Sequence, residues 1–245
     1  MFSTKTSLLS IVKKQYFNKL NQYSNIVFAL VAIQIFTLAI SFTLYGTSIR
    51  RFNPFFVIDI RSYADEIAIV FTMIFVLIAS AILRSKTYRD MDFNFISNRL
   101  SSQLSTIGFL LTIVVAGSTF AVLSGYMLRV LRYFLPISKP FSIIMSHISF
   151  QDFLLSVSII TLYLLLFSAL GYFIGSLIYF NKIFAVLLTV LFLTIIFFRI
   201  DYTVFVHNFY FHETSILVFT LKTLIPSIVL FLLSIMLTKE KEVRL

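Results

Sequence analysis

The residues that could do chemistry are few in this chain of 245 residues. Its 3 histidines are His147, His207 and His212, and Glu213 follows the last of them. His207 and His212 are five positions apart, whereas helical metal ligands usually lie three or four apart, so this spacing disfavours a metal site. The absence of cysteine excludes disulfides and thiolate metal sites. We therefore predict no metal, no cofactor and no catalytic residue.

Enzyme signatures are also missing. The sequence has no GxSxG nucleophile elbow, no HExxH zinc motif and no GxxxxGK phosphate loop, so the chain has no P-loop with which to hydrolyse ATP. Charges near the outer ends of apolar runs usually anchor helices at the membrane interface, although they could also contact a charged substrate headgroup. The residues in question are Asp65, Glu66, Arg129, Arg132, Arg199, Asp201 and Lys222.

The composition predicts an integral membrane protein. Hydrophobic residues make up 59% of the chain and charged residues 12%, whereas soluble domains are about one quarter charged. The net charge of +10 comes from basic residues scattered at the ends of apolar runs. That distribution argues against binding to nucleic acid and favours contact with anionic lipid headgroups.

The apolar runs predict an all-α fold in which residues 1–245 form a single transmembrane domain. Each run approaches the ~20 residues that a bilayer core requires, and none shows the period-two alternation of a membrane strand. We predict six transmembrane helices at residues 24–45, 66–83, 104–127, 153–179, 183–198 and 215–237. The segments 46–65, 128–152 and 200–214 are predicted to lie on or dip into the outer surface.

Residues 1–22 predict an amphipathic interfacial helix. Its apolar stripe comprises Leu8, Leu9, Val12, Tyr16 and Leu20. Lys13, Lys14 and Lys19 occupy the other positions, and they also interrupt the region too often for a cleavable signal peptide.

Residues 84–103, RSKTYRDMDFNFISNRLSSQ, are the longest polar run. Their basic excess predicts a cytoplasmic loop between the second and third spans, with both termini in the cytoplasm. In the fourth span, Gly171 and Gly175 form a GxxxG pattern, which lets helices approach closely. The sequence leaves open whether that contact is within the chain or with another subunit.

This layout resembles the membrane subunit of an ABC transporter of the type-2 exporter class, especially the short bacterial permeases that work with separate ATPases. The resemblance lies in the N-terminal amphipathic helix, the six spans and the charged loop. It also includes the run DFNFISNRL at residues 92–100, and GYFIG at residues 171–175 followed by Asn181 and Lys182.

The resemblance implies partners and roles. It implies a cytoplasmic ABC ATPase subunit, a second permease subunit forming a homodimer or heterodimer, and a location in a bacterial cell membrane. The loop would dock on the ATPase as a coupling helix, with Arg89, Asp90, Asp92, Phe93, Phe95 and Arg99 as its contacts. The first, second and fifth spans would line the path. They carry little polarity beyond Gln34, Ser41 and Thr72, which favours a hydrophobic or amphipathic cargo such as a peptide (an antimicrobial peptide, for example), toxin or lipid.

Two other classes of function stay open from the sequence. A membrane-embedded enzyme acting on lipids or peptides would have to use Asp65, Glu66, His147 and His207. An immunity or sensor protein would only bind its ligand and would function with an ATPase partner that cannot hydrolyse ATP.

Overall fold

The computed structural model describes residues 8–43, 48–53, 56–61, 65–85, 88, 99–134, 150–181, 183–187 and 216–243. Six long helices account for most of these residues. They are α1 (Leu8–Gln22), α2 (Ser24–Thr43), α3 (Asp65–Leu83), α4 (Arg99–Phe134), α5 (Phe150–Phe180) and α6 (Ile216–Val243). Residues 183–187 are also helical.

The described residues include four helical segments long and apolar enough to cross a membrane, fewer than the six predicted. They are Ser24–Phe42, Leu100–Leu128, Phe150–Phe180 and Ile216–Leu237, and they match the first, third, fourth and sixth predicted spans. The second predicted span coincides with a shorter apolar helix, Ile67–Leu83. The fifth, at 183–198, lies outside the described residues beyond position 187.

A two-stranded antiparallel hairpin is the exception to the all-α prediction. Its strands are β1 (Ser48–Asn53) and β2 (Phe56–Arg61), and they pair from Ser48 opposite Arg61 to Asn53 opposite Phe56. The second strand reads FVIDIR, in which three β-branched residues favour extended backbone. The sequence predicts an outer-surface segment here but no strand pairing.

Helix α5 lies between α3 and α6, while α4 packs against α1, α2, α3 and α5. The core forms where α2 to α5 meet, and its fully covered side chains include Leu30, Val76, Phe109, Leu164 and Tyr172. Bulky apolar side chains stay exposed on the outer faces, among them Phe28, Ile35 and Leu217. Exposed apolar faces of this kind are expected where lipid replaces water as the surrounding medium.

Helices α5 and α6 run in the same direction. The rings of Tyr163, in the middle of α5, and Phe219, near the start of α6, are 5.0 Å apart, and further along both helices the hydroxyls of Ser176 and Ser234 form a hydrogen bond. The end of the bundle at which α3, α5 and α6 terminate also holds α1, and we call it the α1 end. The chain therefore leaves the α1 end after Phe180 and has reached the opposite end by Ile216.

Asn181 provides the local signal for this reversal. Its side-chain Oδ1 accepts a hydrogen bond from the backbone N–H of Ile183 at 3.1 Å, and its carbonyl accepts one from Phe184 N–H at 3.0 Å. Asparagine is a preferred N-cap because its side chain satisfies a backbone donor that the new helix leaves unpaired. Asn181 thus marks the start of the helical residues 183–187.

Candidate functional site

Lys19 fastens α1 to the beginning of α4. The side chain is 3% exposed. Its Nζ donates to the carbonyl of Ser102 at 2.9 Å, the hydroxyl of Ser102 at 3.3 Å and the hydroxyl of Thr106 at 2.5 Å. An ammonium group has three donors, and burying one without partners is costly. This set of acceptors is therefore what allows a charged residue to occupy the interface between the two helices.

The burial of Lys19 differs from the sequence prediction, which placed it away from the packed stripe of α1. Lys13 and Lys14 are exposed as predicted. Lys19, however, continues the face of Val12 and Tyr16 at helical spacing, and that face packs on α4, where Tyr16 lies against Gly108. The charge of Lys19 alone predicts a solvent-exposed side chain. The hydroxyls of α4 accept hydrogen bonds from its ammonium group and so stabilise it in the buried interface.

Tyr23 joins the segment between α3 and α4 to the junction of α1 and α2. This residue forms the single-residue turn between the two helices and is buried. Its ring packs edge-on against Tyr88 (centroids 5.2 Å apart) and Phe109 (5.7 Å), and its hydroxyl donates to the carbonyl of Tyr88 at 3.3 Å. Tyr88 therefore holds its segment to the helices by both ring and backbone.

Arg84 follows the last residue of α3 and contacts α5. Its Nε donates to the hydroxyl of Ser176 at 3.0 Å, and its guanidinium carbon is 5.2 Å from the ring centroid of Tyr172. Its Nη2 is buried and has no hydrogen-bond partner among the described residues. A hydrogen bond to a charged group contributes about 1.5–3 kcal/mol and a cation–π contact about 0.5–2, whereas a buried unsatisfied donor costs about 1–3. At the middle of these ranges, the two contacts outweigh the unsatisfied donor by about 1.5 kcal/mol.

Hydrogen bonds between side chains connect helices α2 to α6 in pairs. They link Gln34 to Thr72 (2.7 Å), Ser80 to Ser168 (3.2 Å), Ser118 to Thr161 (2.7 Å) and Ser176 to Ser234. In a bilayer such bonds average about 0.6 kcal/mol each. Their contribution to the free energy of unfolding is small. Their main effect is to fix the rotation and register of the helices relative to one another.

Gln34 lies in the middle of α2 and is 7% exposed. Its Nε2 donates to the hydroxyl of Thr72 at 2.7 Å, and that hydroxyl donates to the carbonyl of Ala68 at 2.6 Å. Its Oε1 is buried and has no hydrogen-bond partner among the described residues. Nε2 therefore has a hydrogen-bond partner and Oε1 has none among the described residues. Substitutions at Thr72 and at Gln34 test these two atoms separately.

Thr72→Val is expected to cost about 1–2 kcal/mol of unfolding free energy, because it leaves Gln34 Nε2 as a second buried unsatisfied group. Gln34→Leu removes both amide ends and is expected to change stability by less than about 1 kcal/mol. Unfolding in mixed detergent micelles, followed by circular dichroism, measures both. Thr119→Val is the control, since that hydroxyl donates to the carbonyl of Val115 in its own helix and to no other helix among the described residues. A larger loss for Gln34→Leu than for Thr72→Val would contradict this assignment.

Gly171 and Gly175 pack within the chain. A Cβ at Gly171 would lie 2.9 Å from the carbonyl carbon of Leu77, and one at Gly175 would lie 2.7 Å from the carbonyl oxygen of Ala81. The two glycines therefore bring the backbones of α3 and α5 together. Of the two alternatives that the sequence leaves open, this contact is the internal one.

Most of the predicted coupling residues lie outside the described part of the chain, namely Arg89, Asp90, Asp92, Phe93 and Phe95. Arg99 is the first residue of α4, so residues 99–103 of the polar run are helical and not loop. The three histidines also lie outside it, and the described residues contain no cluster of His, Cys, Asp or Glu that could hold a metal.

Lys19, Arg84, Tyr23 and Tyr88 make contacts between helices that the sequence did not predict. The available signal for Lys19 was the pair of hydroxyls at Ser102 and Thr106, one helical turn apart at the beginning of an apolar run, where a neighbouring cation finds acceptors.

No family model, no curated protein and no solved structure matches the chain.

Proposed function

We propose that this chain is the membrane-spanning permease subunit of an ATP-driven exporter of the ABC type-2 class, powered by a separate ATPase subunit. The observation that carries the proposal is how the polar segment 84–103 is fastened at both ends. Arg84 at its beginning contacts α5, and Ser102 near its end contacts Lys19 of α1. We propose that a push from a partner on this segment reaches the helices through these two contacts.

Six membrane crossings are part of this proposal. Helices α5 and α6 run in the same direction, and the helical residues 183–187 begin directly after α5. A chain that leaves one end of a membrane bundle and begins its next span at the other end has to cross in between. This supports the predicted fifth span at 183–198, and we propose that the helix Ile67–Leu83, which is shorter than the four long apolar helices, crosses as the second.

The proposed orientation places the α1 end in the cytoplasm of a bacterial cell. Lys13 and Lys14 are exposed on α1, and Arg84 lies at the same end. Positive charge near the ends of spans is retained on the cytoplasmic side during insertion. Both termini are then cytoplasmic, and segment 84–103 is within reach of a soluble ATPase.

The proposed cargo is hydrophobic or amphipathic, such as a peptide, a toxin or a lipid. The buried hydroxyls of Thr72, Ser80 and Ser227 donate to carbonyls of their own helices. A hydroxyl used in this way presents little polarity to a passing molecule. A second permease subunit, identical or different, would complete the path as the type-2 resemblance implies.

Co-purification with the proposed ABC ATPase subunit tests the proposal. We expect Phe93→Asp and Arg99→Glu each to weaken co-elution at least about ten-fold, because a charge change at a docking surface commonly costs more than 1.4 kcal/mol. The controls are Phe150→Asp and Asp152→Lys, at exposed positions on the other end of the bundle. Size-exclusion chromatography checks that each variant is folded.

The outcome also separates the other classes of function. Unchanged assembly and unchanged ATPase stimulation in Phe93→Asp and Arg99→Glu would overturn the coupling role. Activity that persists with an ATPase unable to hydrolyse ATP would indicate a binding or immunity protein. Loss of activity on replacing Asp65 or His207 by alanine would indicate an enzyme.

A further inference from the structure

The two ends of segment 84–103 are fastened to different helices. At the far end, Ser102 and Thr106 contact Lys19, so that end is joined to α1. At the near end, Arg84 donates to Ser176 and lies over Tyr172, so that end is joined to α5. A displacement of the segment therefore reaches two separate parts of the bundle.

The contact of Arg84 continues from α5 into α6. Ser176 and Ser234 are both fully buried, and their hydroxyls form a hydrogen bond across the two helices. Ser234 also lies 3.5 Å from the carbonyl of Tyr172, which accepts from Ser176 at 3.0 Å. One polar path thus leads from the first residue of the segment through Ser176 to α6.

Close backbone packing makes this junction stiff. At Gly175, an added Cβ would lie 2.8 Å from Cβ of Arg84 and 2.7 Å from the carbonyl oxygen of Ala81. Packed interiors have low compressibility and transmit displacement instead of absorbing it. The end of α3 therefore has no room to move towards α5 without pushing it.

We infer that Arg84 is the positioning residue through which a displacement of segment 84–103 moves α5 and α6 together. Its guanidinium holds Ser176 with one nitrogen, while Nη2 has no acceptor among the described residues. The group can therefore take a second acceptor as the helices shift, without first giving up the bond to Ser176. The inference rests on the proposed function only for the source of the displacement.

The first test needs no ATPase. In the purified chain in lipid nanodiscs, Arg84→Gln is expected to raise amide hydrogen exchange about ten-fold both in segment 84–103 and around Ser234 in α6, because one charge-assisted contact is lost. Lys14→Gln removes an equally basic but exposed side chain and is expected to change neither region. Faster exchange in the segment alone would overturn the inference.

The second test uses the complete complex and the absence of native cysteine. In a Ser118→Cys/Thr161→Cys pair, which lies between α4 and α5 far from Arg84, ATP is expected to change the cross-linking rate at least about five-fold. A Tyr163→Cys/Phe219→Cys pair between α5 and α6 should keep its rate, because these two helices move together.

Arg84→Gln should abolish the change in the first pair while the ATPase still binds and hydrolyses ATP, Arg84→Lys should restore part of it, and Ser234→Ala should make the second pair respond to ATP. An unaltered response of the first pair in Arg84→Gln overturns the inference. Absence of any ATPase binding by the wild-type chain instead contradicts the proposed function, and the exchange result then decides the inference alone.

Discussion

Replacing Gly171 by alanine is expected to lower the free energy of unfolding by about 2 kcal/mol or more, because a single methyl group overpacks the interface between α3 and α5. The added Cβ would lie 2.9 Å from the carbonyl carbon of Leu77 and 3.0 Å from its Cα. Both are backbone atoms, so no side chain can rotate aside. Alanine is the better helix former by about 1 kcal/mol, and the steric cost has to exceed that gain. Unfolding in mixed detergent micelles measures the difference.

Gly108→Ala is the matched control for this prediction. A Cβ at Gly108 would lie 3.4 Å from Cδ2 of Tyr16, which is ordinary contact with the edge of a side chain. We expect its stability to be equal to the wild type or higher by up to about 1 kcal/mol. Equal effects at the two glycines would show that Gly171 is not in backbone contact. A change in oligomeric state without loss of stability would favour a contact between subunits.

Apolar runs predict helices well in this chain because a helix in a bilayer forms all of its backbone hydrogen bonds within itself. The described helices α4, α5 and α6 accordingly overlap the predicted spans at 104–127, 153–179 and 215–237. The strands were not predicted, because two six-residue strands carry far less periodic signal than a span. Their β-branched residues were the only local indication.

Interhelical contacts were much harder to predict than the helices themselves. A small or polar residue inside an apolar run shows that a contact exists but not which helix supplies the partner. Gly171 and Gly175 illustrate this, since their pattern fits packing within the chain as well as between subunits. Arg84 is a second case. Its position after an apolar run predicts a loop residue, whereas its contacts with Ser176 and Tyr172 depend on the direction in which α5 runs.

The buried charge of Lys19 leads to a prediction about Thr106 that the sequence could not supply. Thr106→Val keeps the shape of the side chain but removes the acceptor 2.5 Å from Nζ. We expect it to cost about 2 kcal/mol of unfolding free energy, because a buried cation then loses one of its acceptors. Lys19→Met is expected to cost less, about 1 kcal/mol, because it removes the charge and leaves its former partners satisfied. The hydroxyl of Thr106 still donates to the carbonyl of Ser102 at 2.9 Å.

The double variant gives the sharpest form of this prediction. In a Lys19→Met background, Thr106→Val is expected to have little further effect, so the two changes together should cost about as much as Lys19→Met alone. The exposed Lys13 provides the control, and Lys13→Met should leave the cost of Thr106→Val unchanged. Additive losses in the Lys19 and Thr106 pair would mean that the ammonium group does not depend on this hydroxyl. Non-additivity of about 1–2 kcal/mol, confined to that pair, would establish that a buried lysine holds α1 to α4.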